Sequence, residues 1–151
     1  MGKLSLLITF LFSQAAFSSA PADYSGFWWN EDRSGIFELV VSEQSIEGIT
    51  RWGKEPQTDS QNPDPALRSR SLKDITFLWG FEYQPQNNSW QDGRVYDPDN
   101  GKTYSAKMHL DTNDNTLEMR GYIGISLFGR SARFERVKEQ DLPAELDSKS
   151  R

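Results

Sequence analysis

The sequence predicts an all-β protein, either a sandwich or a barrel. Short runs in which apolar and polar residues alternate recur between turn-forming clusters, at the spacing of an antiparallel meander. No sustained helical periodicity follows the N-terminal segment. The chain is 13% aromatic and has no cysteine, so core burial must hold it together without disulfides.

The N-terminal segment stands apart from this pattern. Met1-Gly2-Lys3 is a short positive start, Leu4 to Phe12 is almost entirely apolar, and Ser18-Ser19-Ala20-Pro21-Ala22 supplies small residues. That order is a secretory signal peptide over residues 1–22, with Ala20-Pro21-Ala22 as the cleavage site. The apolar run falls short of the ~20 residues that span a bilayer. The expected location is therefore periplasmic or secreted, with no membrane span in the mature chain. Removing Lys3 leaves 16 basic against 22 acidic side chains, a net charge of −6. That balance argues against nucleic acid as a partner, because phosphate binding needs a basic face.

Eight strands follow in the barrel segment, residues 23–137. Gly26 to Asn30 is the first. Ser34 to Val41 puts Phe37, Leu39 and Val41 on one face, and Ser45 to Trp52 is the third. In residues 75–83, Ile75, Phe77, Trp79, Phe81 and Tyr83 are expected to share a face. Ser89 to Tyr96 follows the turn at Pro85 to Asn88. Pro98 and Gly101 then set a tight hairpin. Thr103 to Leu110 turns Tyr104, Ala106, Met108 and Leu110 inward. Thr116 to Ile123 does the same with Leu117, Met119, Gly121 and Ile123. Arg130 to Val137 is the last.

Residues 53–74 interrupt the meander with a long connection rich in Pro, Asp and Ser. Asp64 as N-cap and Pro65 at the first helical position predict a short helix over Pro65 to Arg70. Residues 138–151 read as a polar, largely disordered tail, with a short helical stretch after Pro143.

Several catalytic or metal chemistries find no support. His109 is the lone histidine and falls on an outward position, so a serine triad would need a cleft on the outer face. With no cysteine, a zinc site would need unusual carboxylate ligands. Asp97, Asp99 and Gly101 miss the EF-hand register. Asp111, Asn113 and Asn115 keep its alternate spacing, but Thr116 and Tyr122 replace the required glycine and glutamate. Paired carboxylates across strands remain the one route to hydrolysis, but the acidic residues cluster in turns and the tail. No cofactor or metal is expected, and binding is favoured over catalysis.

The chain resembles an uncharacterised bacterial family of exported proteins, domain of unknown function 2147, from Gly26 to Arg136. The resemblance is carried by Gly26-Phe27-Trp28, Asn62-Pro63-Asp64-Pro65, Leu67-Arg68-Ser69-Arg70 and Trp90-Gln91-Asp92-Gly93. Tyr96-Asp97-Pro98, Gly101-Lys102-Thr103-Tyr104, Arg120-Gly121-Tyr122-Ile123-Gly124 and Leu127-Phe128-Gly129-Arg130 extend it. Ser71 stands where the family usually has proline, and Phe134 where it usually has tryptophan. The resemblance implies an eight-stranded antiparallel up-and-down lipocalin-like barrel with one long loop carrying a short helix. Such barrels share a G-x-W on the first strand and a late arginine packed over that tryptophan. Gly26, Trp28 and Arg136 match these positions and are expected to close the barrel.

Two groups of residues are candidates for a ligand site. Trp52, Phe77, Trp79, Trp90, Tyr96 and Tyr104 either line a concave apolar pocket or pack as core and rim. Arg68, Arg120 and Arg130, with Arg70, either converge on an anionic head group or pair with neighbouring carboxylates. The expected partner is a small lipophilic or amphipathic ligand in the cell envelope. The alternative is a solid barrel that docks an envelope protein through residues 53–74 or 121–130.

Overall fold

The computed structural model describes residues 21–111, 113 and 115–147. The expected signal peptide lies outside the described residues except for Pro21 and Ala22. Among the described residues no helix is long and apolar enough to cross a membrane.

The fold is all-β, a nearly closed antiparallel barrel. β1 (Gly26–Trp29), β2 (Gly35–Ser42) and β3 (Ser45–Gly53) form the first meander. β4 (Thr76–Trp79) and β5 (Glu82–Gln84) follow the long loop, and both pair with β6 (Ser89–Asp97). β7 (Lys102–Asp111), β8 (Thr116–Tyr122) and β9 (Arg130–Glu135) complete the order β1-β2-β3-β4-β6-β7-β8-β9. β4 and β5 thus act as one stave broken at Gly80. The ring closes through a bridge between Trp28 and Arg136, and the Val137 amide donates to the Phe27 carbonyl at 2.9 Å.

Closure rests on three residues. The Arg136 guanidinium carbon lies 4.2 Å from the Trp28 ring centroid. Its Nη1 and Nη2 donate to the carbonyls of Ser25 at 2.6 Å and Asp23 at 2.5 Å, and its Nε to Asn115 Oδ1 at 3.0 Å. Gly26 holds φ +118, and a Cβ there would sit 3.1 Å from Arg136 Nη1. The cation therefore seals the seam by stacking on an indole and by satisfying carbonyls that no strand partner reaches.

The interior follows the expected alternation on β7, where Ala106, Met108 and Leu110 are buried. Register carries the same face across β8, through Met108 opposite Met119 and Leu110 opposite Leu117. One end is plugged. Tyr24, at the end of the 3-10 turn Pro21–Tyr24, donates its hydroxyl to the Asn88 carbonyl at 2.7 Å and accepts from the Leu110 amide at 3.0 Å. Burial pushes the pKa of this phenol up to about 12, so it stays protonated. Trp90 fills the same end, with the Tyr24 ring at 6.3 Å and the Tyr83 ring at 5.1 Å.

Four expectations are corrected. The face shared by Ile75, Phe77, Trp79, Phe81 and Tyr83 does not exist as a continuous stripe. A bulge between Gly48 and Ile49 on β3 leaves Phe77 as an extra residue on β4, and Phe77 and Leu78 both pack toward Gly48. The parity then inverts, so Leu78 is fully buried and Trp79 is exposed. A second kink at Gly80, φ +72, returns Phe81 to the core, where its ring fills the space a side chain at Gly93 would take. Ile123 is not inward either: β8 ends at Tyr122, and Ile123 is 71% exposed. The helix expected over Pro65 to Arg70 is a shorter 3-10 turn, Pro65–Leu67, capped by Asp64 Oδ1 accepting from the Ala66 amide at 2.9 Å.

The fourth concerns the tail. Residues 148–151 lie outside the described residues, but the chain before them folds into a 3-10 turn, Glu139–Asp141, and a short helix α1 (Ala144–Asp147), the latter at the helical stretch expected after Pro143. Leu142 and Leu146 pack with Val137 onto the outer face of β1, β2 and the end of β3, against Phe27, Trp29, Ile36 and Trp52. Two leucines in a charged segment suffice to pack against this face, where the outward Trp29 is partly buried.

Candidate functional site

Antiparallel connectivity places the β1–β2, β3–β4, β6–β7 and β8–β9 connections at the end opposite Tyr24. A cavity of about 460 Å³ opens there. Its floor is aromatic: Phe37 meets Phe77 at 5.4 Å and Phe134 at 5.2 Å, both edge-to-face. Thr50, opposite Phe37 in the register, adds a hydroxyl that donates to the Leu72 carbonyl. Trp52 lines the side of the cavity, held edge-on to Trp29 at 6.2 Å.

The rim is built largely by the long loop, which supplies Glu55, Gln57, Ser71 and Lys73. Asp99 from the β6–β7 turn and Glu145 from α1 also line the mouth. What fixes the loop is a buried polar knot on the outer side of β6. Asp59 is fully buried and Asn62 nearly so. The Tyr96 hydroxyl donates to Asp59 Oδ1 at 2.5 Å. Asp59 Oδ2 accepts from Asn62 at 2.7 Å and from Arg70 Nε at 2.9 Å. Arg68 Nε donates to the Asn62 carbonyl at 2.8 Å. Gly101, at φ +70, lies so close beneath the loop that a Cβ would fall 1.9 Å from the Gln61 carbonyl oxygen. Burial alone would raise the Asp59 pKa, but the donors from Tyr96, Asn62 and Arg70 outweigh it and hold the carboxyl below its usual range. The same burial, with the carboxylate beside it, pushes the Tyr96 phenol up. Asn62, Arg68, Arg70, Tyr96 and Gly101 therefore meet in one place, and their shared task is to dock the loop.

The candidate ligand residues separate accordingly. Trp52 and Phe77 line the cavity. Trp90 is core packing at the plugged end, and its indole N–H meets no acceptor among the described residues. Tyr96 faces outward into the loop knot, and Trp79 is exposed on the outer surface. Tyr104 faces inward opposite Val95, its hydroxyl accepting from Asn100 at 3.1 Å. The arginines do not converge on the mouth. Arg68 is spent on the loop. Arg120 clamps its own β8–β9 connection through the carbonyls of Ser126 at 2.6 Å and Leu127 at 3.1 Å. Arg130 pairs with Glu31 at 2.9 Å. A head group held by converging arginines is thus not what this end offers.

Sequence reasoning did not single out Phe37, Phe134, Thr50 or the rim carboxylates. Alternation marks Phe37 and Phe134 as inward, but depth along the barrel axis depends on strand register, which one sequence does not show. Outside the barrel, a groove of about 290 Å³ runs over β6–β8 past Lys107, His109 and Arg120. His109 lies 3.3 Å from Glu118 there, a surface contact already shared with Arg133. Among the described residues no group of three or more His, Asp or Glu side chains is placed to hold a metal.

No curated protein matches the sequence. A solved structure does resemble the fold: protein HP1028 from Helicobacter pylori, described as belonging to the lipocalin family. It is 20% identical, with a TM-score of 0.68 over 78% of this chain and 84% of that one. At that identity the likeness speaks to the fold alone, a lipocalin-like barrel. The sequence itself matches a family model over residues 26–136, which spans β1 through the closing arginine. The chain therefore belongs to the bacterial family described as "uncharacterized protein conserved in bacteria (DUF2147)".

Proposed function

We propose that this protein is an exported binding protein that takes one small lipophilic or amphipathic molecule into the open end of its barrel. The observation that carries this reading is the asymmetry of the interior. One end is filled by Tyr24, Trp28 and Trp90, whereas the other holds a cavity of about 460 Å³ with a phenylalanine floor and a polar rim. That volume is in the range of small-molecule sites. The export part of the reading rests on the composition of residues 1–22.

A neutral fluorescent apolar probe, N-phenyl-1-naphthylamine, is expected to bind saturably at one equivalent. Ser71→Trp, an exposed rim position, is expected to occlude the mouth and weaken that binding by about tenfold or more, a loss on the order of 1.4 kcal/mol. Unchanged affinity in a folded Ser71→Trp variant would place the probe elsewhere.

A second reading has its own observation. Ile123, Ile125 and Leu127 are 71%, 61% and 75% exposed on the β8–β9 connection, at the same end as the cavity. A cluster of that kind favours docking to an envelope protein.

A further inference from the structure

We infer that the ligand carries a positively charged head group: a cationic amphiphile whose apolar body lies on the phenylalanine floor and whose ammonium or amidinium meets the rim. This rests on the proposed binding function and specifies its chemistry. Among the described residues that line the cavity, Glu55 and Asp99 stand at the mouth against a single cation, Lys73. The nearby arginines are committed elsewhere: Arg51 to Glu38 and Asp74, Arg33 to Glu135, and Arg130 to Glu31. An anion entering this mouth therefore meets a surplus of carboxylates and no guanidinium fork. A cation meets the opposite field, and beyond it aromatic rings, which attract cations through their quadrupoles. Trp52 on the cavity wall is the strongest such ring type. The same carboxylates offer an uncharged head group hydrogen-bond acceptors but no charge attraction, so charge should decide among ligands with equal tails.

The test is a matched series below the micelle concentration: dodecyltrimethylammonium, dodecyl maltoside and dodecyl sulfate, each titrated calorimetrically into the folded protein at two salt concentrations. The cationic probe is expected to bind about tenfold more tightly than the other two, with the margin shrinking as salt rises. Glu55→Gln combined with Asp99→Asn is expected to remove most of that margin, bringing the affinity of the cationic probe close to that of dodecyl maltoside. Equal binding of all three, or a preference for the sulfate, would overturn the head-group assignment and leave the binding function standing. Failure of all three to bind, with N-phenyl-1-naphthylamine also excluded, would remove the binding function itself.

Discussion

Replacing Arg136 with alanine is expected to lower stability by about 2–3 kcal/mol, read as a fall in denaturant midpoint at unchanged slope. The size follows from what the guanidinium does at once. It stacks 4.2 Å from the Trp28 ring centroid and donates to the Ser25 and Asp23 carbonyls and to Asn115. Truncation removes the stack and leaves these acceptors to water that only partly reaches them. Arg136→Lys is expected to recover little, because an ammonium cannot stack flat on an indole while reaching three acceptors. A loss under ~0.5 kcal/mol for the alanine variant would mean that the seam is held by the backbone pairing of Phe27 with Val137 alone.

Asp59→Ala is expected to be as damaging, at about 3 kcal/mol, because it strands the Tyr96 hydroxyl, the Asn62 amide and one side of Arg70 without their acceptor. The damage should be local. The loop over residues 53–74 is expected to loosen, so that trypsin cuts after Arg68 or Arg70 at protease levels that leave the parent chain intact. The pH dependence has a defined sign. The folded-state pKa of Asp59 lies below its ordinary value of 3.8. Its contribution is therefore complete above that value and is lost as pH falls through the lower folded-state pKa. The parent should lose stability on the acid side more steeply than Asp59→Asn does. Acid limbs of equal slope would show that the carboxylate is not what anchors the loop. Because this loop supplies Glu55, Ser71 and Lys73 to the mouth, its anchoring also sets the shape of the cavity rim.

How much of this was legible in the sequence depended on whether a feature is local. The inward set of β7 follows from strict alternation between two clear turns, and the structure buries its Ala106, Met108 and Leu110 as expected. The Gly26-Phe27-Trp28 start and Arg136 are distant in sequence, and only their pattern with known barrels brings them together. Alternation misled at Leu78 and Trp79, since a bulge sets Phe77 and Leu78 both inward and shifts the phase until Gly80 resets it. The arginines misled for a different reason. Composition shows that Arg120 is cationic, but not that a carbonyl six residues along, in its own connection, will accept from it. Asp59 gave no signal in a loop full of acidic residues, because its burial is imposed by Tyr96 from another strand. Leu142 and Leu146 looked too sparse to fold a charged tail, yet they meet an outer face of Phe27, Trp29 and Ile36 that is already apolar.

The most direct test of binding at the open end is a heteronuclear NMR titration of the folded protein with N-phenyl-1-naphthylamine. Saturable shifts are expected at Gly35, Phe37, Thr50, Leu72, Phe77 and Phe134, with Tyr24, Leu110 and Leu117 at the plugged end unmoved. Shifts confined to Ile123, Ile125 and Leu127, or none at all, would contradict a ligand-binding barrel.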